Sequence, residues 1–566
     1  MVMNFLKYFF ILLAVIERKV IANIFANLQP DDGDYRHLYP KVCLSMGIKK
    51  HGHILPYSIG MIENLRYPKD RMHISFFILD ECDDFNAIKD AKIWSEKMAK
   101  IYSSTAVFED RDNWMEASLQ WGRKKTCDYL FIINEDNILM KNVINQLINL
   151  TFVAVSPLMN DPFGKHSNVN GLLDTFFVER KKVGSQQVYY FNLPIFINIK
   201  SMDSSYLTFD SENVRNFHQT DPTQIFAHSA YSMNIPLFVD NKNFYGYVLD
   251  SNFYSPKYHK QLIGYFLANL ISEKGAISFP YSNILNPWYP PSSSFGFDMI
   301  YVINLKRRPE RLQKMDLIMK LLGIKYQVFE AVDGKALTNE DLSDLRFMPE
   351  YEDPFAKRPM TLGEVGCFLS HYKIWEDMVK QNYQNVIIFE DDIKFVVNST
   401  NVLNTVMEDL MKTQLEWDII YLGRKKMTPQ GDEFFVQGHR YLSTLAYSYW
   451  TLGYALSLNG AKKLIKAKPL ENLLALDEFL PIMYDKHPNT QWSKHFNLRD
   501  LKGYAIYPVI VTPERYTHDT GYISDTEAST IITIQKSKNQ TNFKSIDIAD
   551  QQSNMHAPTT LAKNEL

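Results

Sequence analysis

Apolar residues recur along this chain in two alternating rhythms. Short apolar runs at 41–45 and 73–79 read as strands, and between them residues 54–65 carry apolar side chains at helical spacing. Residues 90–102 and 113–125 continue as amphipathic helices, and the run at 129–133 ends in polar residues as a buried strand does. Such alternation predicts an α/β domain, a mostly parallel sheet covered by helices. The rhythm stops at Asn286-Pro287-Trp288-Tyr289-Pro290-Pro291-Ser292-Ser293-Ser294, where proline and serine gather. It restarts with a strand at 299–304, a helix at 310–322 and a strand at 326–330. A linker is therefore expected at 286–296, between a first domain at 38–285 and a second at 297–530. From 531 to 566 the chain turns polar, which predicts a mobile tail.

Length and composition agree with two cores. The chain has 566 residues, 46% apolar and 22% charged, which excludes general disorder. A formal charge of -3 supplies no basic field for a nucleic-acid backbone, so nucleic acid is excluded as a partner class.

The two ends suggest a compartment. Lys7 precedes an apolar run at 8–16 that Glu17, Arg18 and Lys19 interrupt, as in a signal peptide over 1–26. That run is shorter than the ~20 residues a membrane span needs, so no transmembrane anchor is expected. A buried N-terminal helix is the bland alternative. The chain ends in Lys563-Asn564-Glu565-Leu566, one position away from the retrieval tetrapeptide Lys-Asp-Glu-Leu. Together the ends predict a soluble resident of the endoplasmic reticulum lumen that meets a retrieval receptor. Cys43, Cys82, Cys127 and Cys367 are too few for a disulfide scaffold, and Cys43 and Cys367, among apolar neighbours, are expected to be buried thiols. Sequons stand at Asn149, Asn398 and Asn539.

The candidate chemistry is acidic. The apolar run Val386-Ile387-Ile388-Phe389 ends in Glu390-Asp391-Asp392, three carboxylates leaving one strand end. Ligands gather at such ends in α/β sheets, and Mg²⁺ or Mn²⁺ wants oxygen donors there, although a solvated turn or helix cap has the same sequence. In the first half the strand before Asn134-Glu135-Asp136 ends with an amide in the first acid position, and Asp80, Glu81, Asp83 and Asp84 could line the same cleft. Lys306, Arg307 and Arg308 follow the strand at 299–304 and precede Pro309 at a helix start, a pattern that suits phosphate or a plain basic turn. Asp477-Glu478 lies between apolar pairs, so either acid could be a general base, or the two a cap or ion pair.

With these motifs together the sequence resembles the family 25 glycosyltransferases, and within them the animal procollagen galactosyltransferases. The resemblance is carried by Tyr301-Val302-Ile303-Asn304-Leu305-Lys306-Arg307-Arg308, Glu330-Ala331-Val332-Asp333-Gly334-Lys335, and Gly363-Glu364-Val365-Gly366-Cys367-Phe368-Leu369-Ser370-His371. Phe389-Glu390-Asp391-Asp392, Ser448-Tyr449-Trp450-Thr451, Asp477-Glu478-Phe479-Leu480-Pro481, Asp485-Lys486-His487-Pro488 and the run from Gly521 to Glu527 extend it. It implies two Rossmann-like GT-A domains in tandem, a UDP-galactose donor, a divalent ion usually given as Mn²⁺, and collagen hydroxylysine as acceptor, with inversion. It implies chemistry in the second domain, with Glu390, Asp391 and Asp392 on the metal, Lys306, Arg307, Arg308 and Asp333 toward the nucleotide, and Asp477 or Glu478 as base. His371 and His518 are weaker candidates for metal or phosphate contact. Relatives commonly carry an Asp-x-Asp where this chain has Asn134-Glu135-Asp136, which leaves the first domain possibly non-catalytic and a silent binding or adhesion paralogue as the alternative. A homo-oligomer is left open.

Overall fold

The computed structural model describes residues 35–49, 52–79, 85–109, 113–161, 166–169, 173–214, 220–249, 259–275, 281–427, 432–516, 519, 524–526, 531–537 and 540–546. The expected signal peptide, the acids at 80–84, His518, Asn539 and the terminal tetrapeptide lie outside them.

Val42–Ile48 is buried at every position, as an interior parallel strand must be. This strand, β1, is followed by α1 (Leu55–Glu63), β2 (Met72–Ile78), α2 (Phe85–Met98), β3 (Ser104–Glu109), α3 (Trp114–Lys124), β4 (Tyr129–Asn134) and β5 (Asn137–Leu139). Then come β6 (Ala154–Pro157), β7 (Ser185–Val188), β8 (Ile195–Asn198), β9 (Leu237–Asp240) and β10 (Gly246–Val248). The main sheet runs β3-β2-β1-β4-β8-β6-β9-β7, and β5 pairs with β10. Strands β3, β2, β1 and β4 are parallel neighbours, and β8 lies antiparallel to β4.

After α4 (His259–Lys274) the second unit contains β11 (Met299–Asn304), α5 (Pro309–Leu322), β12 (Gln327–Glu330), α6 (Leu362–Gln381), β13 (Asn385–Phe389), β14 (Ile393–Phe395) and β15 (Ile419–Lys426). It continues through β16 (Leu442–Thr444), β17 (Ser448–Ser457), α7 (Leu476–Met483), β18 (Gly503–Ile506) and β19 (Val511–Pro513). Its sheet runs β12-β11-β13-β17-β15-β18-β16, and β14 pairs with β19. The plan repeats the first unit: β12, β11 and β13 are parallel and β17 is antiparallel. In each unit the strand that closes the parallel block, β4 or β13, runs into the acidic tripeptide and then a short strand paired outside the main sheet. Among the described residues no helix is long and apolar enough to cross a membrane.

Three expectations change. Cys43 is not a thiol: it is bonded to Cys127, with 5.9 Å between the Cα atoms and 84 residues between them in sequence. The bond joins β1 to the turn before its parallel neighbour β4, a proximity that only sheet pairing creates. Helix α4, inside the span 38–285 given to the first domain, belongs to the second compact unit, which gathers Gln261–Ser278 with Tyr289 onward. Its buried Tyr265 hydroxyl lies 2.8 Å from Thr400 Oγ1 and accepts from the Thr400 N–H at 2.9 Å. Its Gly264 comes so close to Leu321 that a Cβ would sit 2.7 Å from that carbonyl oxygen. Within the expected mobile tail, β20 (Ile531–Ser537) pairs antiparallel with β21 (Gln540–Ile546), in line with the β-branched run Ile531-Ile532-Thr533-Ile534.

Candidate active site

A cleft of about 800 Å³ opens in the second unit at the carboxyl ends of β11 and β13. Two glycines let one wall approach so closely. A Cβ on Gly334 would run into the Leu362 carbonyl, and one on Gly366 would lie 2.6 Å from the Val332 carbonyl oxygen. Helix α6 starts at this wall with a capping box between Thr361 and Glu364, and Arg358 grips Glu364 with two bonds of 3.0 and 2.9 Å.

The acids at the end of β13 differ in their surroundings. Glu390 accepts from the Thr451 hydroxyl at 2.8 Å. Burial, then the charge of Asp392, pushes its carboxyl up to about 8. Asp391 is buried and already engaged, since Oδ2 accepts from Asn304 at 2.6 Å and Oδ1 from Arg311 at 3.0 Å. Asp392 is 41% exposed and touches Arg311 at 3.3 Å.

On α7 the two adjacent acids separate because successive helical residues point about 100° apart. Glu478 is buried and saturated: Tyr447 donates to it at 2.9 Å, His487 Nε2 at 2.6 Å, and Tyr449 also donates. The Asn489 N–H donates to His487 Nδ1 at 2.9 Å, which leaves Nε2 as the proton-bearing nitrogen. Asp477 lines the cleft with Oδ1 buried and without a hydrogen-bond partner. Burial raises its carboxyl to about 6, against the opposing hydrogen bonds of the Trp450 backbone and the Thr451 side chain. Trp450 itself has φ +72°, a left-handed conformation rare for a bulky residue, beside the irregular pairing of β15 with β17.

The chain's sequence matches fit this site. Residues 297–480 match the model described as "Glycosyltransferase family 25 (LPS biosynthesis protein)", and residues 104–254 match "Glycosyltransferase family 25, N-terminal domain". A "Glycosyltransferase 25 family member" of Aedes aegypti is 36% identical over 533 residues, covering 87% of each chain. "Procollagen galactosyltransferase 2" of Homo sapiens is 31% identical over 547 residues, covering 88% of this chain and 86% of the human one. The chain belongs to glycosyltransferase family 25. It is a glycosyltransferase with two family 25 domains in tandem. Among solved structures, the mannosyltransferase PcManGT from Pyrobaculum calidifontis, in complex with GDP-Man and Mn2+, is 14% identical with a TM-score of 0.28, over 45% of this chain and 70% of that one, a likeness too slight to bear on the site.

In this family 25 chain the residues singled out from sequence divide into two sets. Glu390, Asp392, Asp477, Glu478, Arg307 and Asp333 line the cleft. Asp391 lines it too, and its oxygens accept from Asn304 and Arg311, which ties β13 to β11 and α5. Lys306 is exposed and outside the lining. Arg308 forms a two-bond pair with Asp525 at 3.0 and 2.9 Å, and Arg307 divides between Asp525 at 2.7 Å and Asp333 at 2.8 Å. Burial alone would raise Asp525, but the Arg308 and Arg307 hydrogen bonds outweigh it and hold the carboxyl at about 2. Asp333 also caps the short helix after it by accepting from the Lys335 N–H at 3.0 Å.

Arg311, Thr451 and Asp525 had no role in the sequence reading. Arg311 stands one helical turn after Arg307 and Arg308, the signal that could have found it; Asp525 lies in the Gly521 to Glu527 run, but at 217 residues from Arg308 no local spacing links the two. In the first unit the carboxylates of Asn134-Glu135-Asp136 are drawn into the turn. Glu135 is buried and accepts from the Lys49 N–H at 3.0 Å, and Asp136 accepts from Asn137 at 3.0 Å.

Hard oxygen donors suit Mg²⁺ or Mn²⁺. Glu390, Asp392 and the orphaned Asp477 Oδ1 make the second-unit cleft an acidic centre that Arg311 only partly offsets. Its acids suit a divalent cation, which Glu390 and Asp392 would hold.

Proposed function

We propose that this glycosyltransferase moves galactose from UDP-galactose to hydroxylysine side chains of collagen, with inversion, in the second-unit cleft. The reading rests above all on Asp477, a raised carboxyl with an unpartnered buried oxygen in the cleft that Glu390 and Asp392 also line. The names of relatives such as human "Procollagen galactosyltransferase 2" support the donor and acceptor.

In a single displacement the acceptor hydroxyl attacks the anomeric carbon as the bond to the diphosphate oxygen breaks, and the electron pair leaves with UDP. Asp477 takes the hydroxyl proton. When bound, a divalent cation such as Mn²⁺ supplies positive charge that offsets the departing diphosphate, with Glu390 and Asp392 holding it. Arg307, Lys425 and Arg515 line the same cleft and add positive charge on the nucleotide side. Glu478 has a supporting part: its three hydrogen bonds hold Tyr447, Tyr449 and His487 behind Asp477.

The rim suits an extended, proline-rich strand. Phe355 is 64% and Tyr516 52% exposed there; Phe355 packs edge-on to Tyr449 and Tyr516 packs against Trp450. Aromatic-lined grooves take polyproline segments with little ordering cost. The first unit, whose Asn134-Glu135-Asp136 carries an amide in the first acid position, serves as a structural or acceptor-holding partner. The Cys43–Cys127 bond favours an oxidising lumen such as the endoplasmic reticulum.

UDP release is measured with UDP-galactose and a collagen peptide containing hydroxylysine, against the same peptide with lysine. Chelator-sensitive release that needs the hydroxyl is expected. Equal release with both peptides, or none with either, refutes the acceptor assignment.

A further inference from the structure

Helix α6 and strand β13 bring a different set of donors together beside the oxygen centre. Cys367 and His371 are one turn apart on α6, and Glu390 follows the last residue of β13. The thiol sulfur, an imidazole nitrogen and a carboxylate oxygen all lie within 4.8 Å of one another, the one such group of three found among the described residues. His371 Nε2 is 4.0 Å from Glu390 Oε1.

The imidazole is held for this. His371 is 1% exposed and its ring stacks on Tyr454 at 5.6 Å between centroids. Nδ1 and the Tyr454 hydroxyl are 2.9 Å apart, and the same oxygen accepts from Trp375 Nε1 at 3.0 Å. In the tautomer in which Nδ1 donates to Tyr454, the Nε2 lone pair is left for an ion beside Glu390. A metal-binding histidine commonly has such a partner on its far nitrogen. Sulfur, nitrogen and oxygen donors in one cluster favour zinc-class ions over the oxygen-seeking Mg²⁺ or Mn²⁺. Zinc bonds of about 2.0–2.3 Å put tetrahedral donors roughly 3.3–3.8 Å apart. The three side chains therefore need only a modest contraction, and the fourth position opens to the cleft, which all three residues line.

We propose that Cys367, His371 and Glu390 form a binding site for a thiophilic divalent cation of the zinc class, and that this ion inhibits transfer by taking Glu390 from the cation of the reaction. On binding, the Cys367 S–H bond breaks, a sulfur–metal bond forms and the proton goes to solvent. The binding stands on geometry alone; the inhibition rests on the role given to Glu390 above.

The test uses the full chain stripped with a chelator. Co²⁺ is added first as a spectroscopic probe and Zn²⁺ second as a competitor. The wild type should give a thiolate-to-cobalt charge-transfer band that Zn²⁺ abolishes. The band should persist in Cys82→Ser and vanish in Cys367→Ser, with zinc affinity falling at least ~10-fold, the scale known for lost metal-site partners. Cys367→Ser should retain Mn²⁺-supported transfer and resist zinc concentrations that stop the wild type. Absence of the band in the wild type, which needs no variant to fold, overturns the site and leaves the role of Glu390 in transfer intact. Equal zinc affinity in wild type and folded Cys367→Ser overturns it as well. Zinc that binds through Cys367 without slowing transfer supports the site and refutes the inhibition.

Discussion

Replacing Asp477 with asparagine separates its catalytic part from its structural cost. The raised carboxyl of about 6 leaves about 90% of it ionised at pH 7, ready to accept a proton. Removing a general base lowers turnover by about 10²–10⁴, or roughly 3–5 kcal/mol in the barrier. The stability effect has the opposite sign. A carboxyl whose folded value lies above its unfolded value of 3.8 destabilises the fold at neutral pH, and that penalty disappears below pH 4. The shift of about 2 units converts to about 3 kcal/mol, which partial exposure and nearby solvent reduce to about 1–2 kcal/mol. Asp477→Asn should therefore lose transfer and gain stability, with the Tm of the metal-free protein rising by roughly 2 °C. The assay pairs galactose transfer from pH 5 to 8 with thermal unfolding at pH 7 and pH 4. In the wild type the rate should fall toward acid as the carboxyl protonates, and in the variant that limb should flatten. Undiminished transfer refutes the base assignment. Lost transfer with a Tm several degrees lower shows that the residue acts through the fold instead.

Three further outcomes follow from other contacts. Glu478→Gln puts an amide donor opposite Tyr447, Tyr449 or His487 in a buried site, so unfolding free energy should drop by about 2–4 kcal/mol, with turnover falling less than in Asp477→Asn; urea unfolding and single-turnover transfer measure the two. Asp525→Asn should lose about 2 kcal/mol at pH 7, after allowing for its 13% exposed side chain. Because this carboxyl is depressed to about 2, its contribution is complete above pH 4, so the gap to wild type should narrow only as urea unfolding is followed below pH 4. Replacing Cys43 and Cys127 together by alanine should cost about 4.6 kcal/mol by the chain-entropy estimate for two positions 84 residues apart, and addition of reductant should then leave the Tm of the variant unchanged.

What the chain determines locally is legible before any fold is known. Val42–Ile48 and Asn385–Phe389 are strands because runs of apolar side chains need cover on both faces, and the polar tripeptides after β4 and β13 mark where those strands leave the core. Linker chemistry at 286–296 and helical periodicity at 310–322 are equally local, so the two-domain plan and the cleft that holds Glu390, Asp392 and Asp477 could be anticipated.

What could not be read depends on residues far apart in sequence. The bond between Cys43 and Cys127 needs β1 beside β4, and the transfer of α4 to the second unit needs Tyr265 to find Thr400. Asp525 pairs with Arg307 and Arg308 across more than 200 positions, a contact that the local basic run does not reveal. Adjacent Asp477 and Glu478 look alike in the sequence. Both line the cleft, but helical geometry leaves one with an unpartnered oxygen there and gives the other hydrogen bonds from two tyrosines and a histidine, and only that difference separates the proposed base from its neighbour.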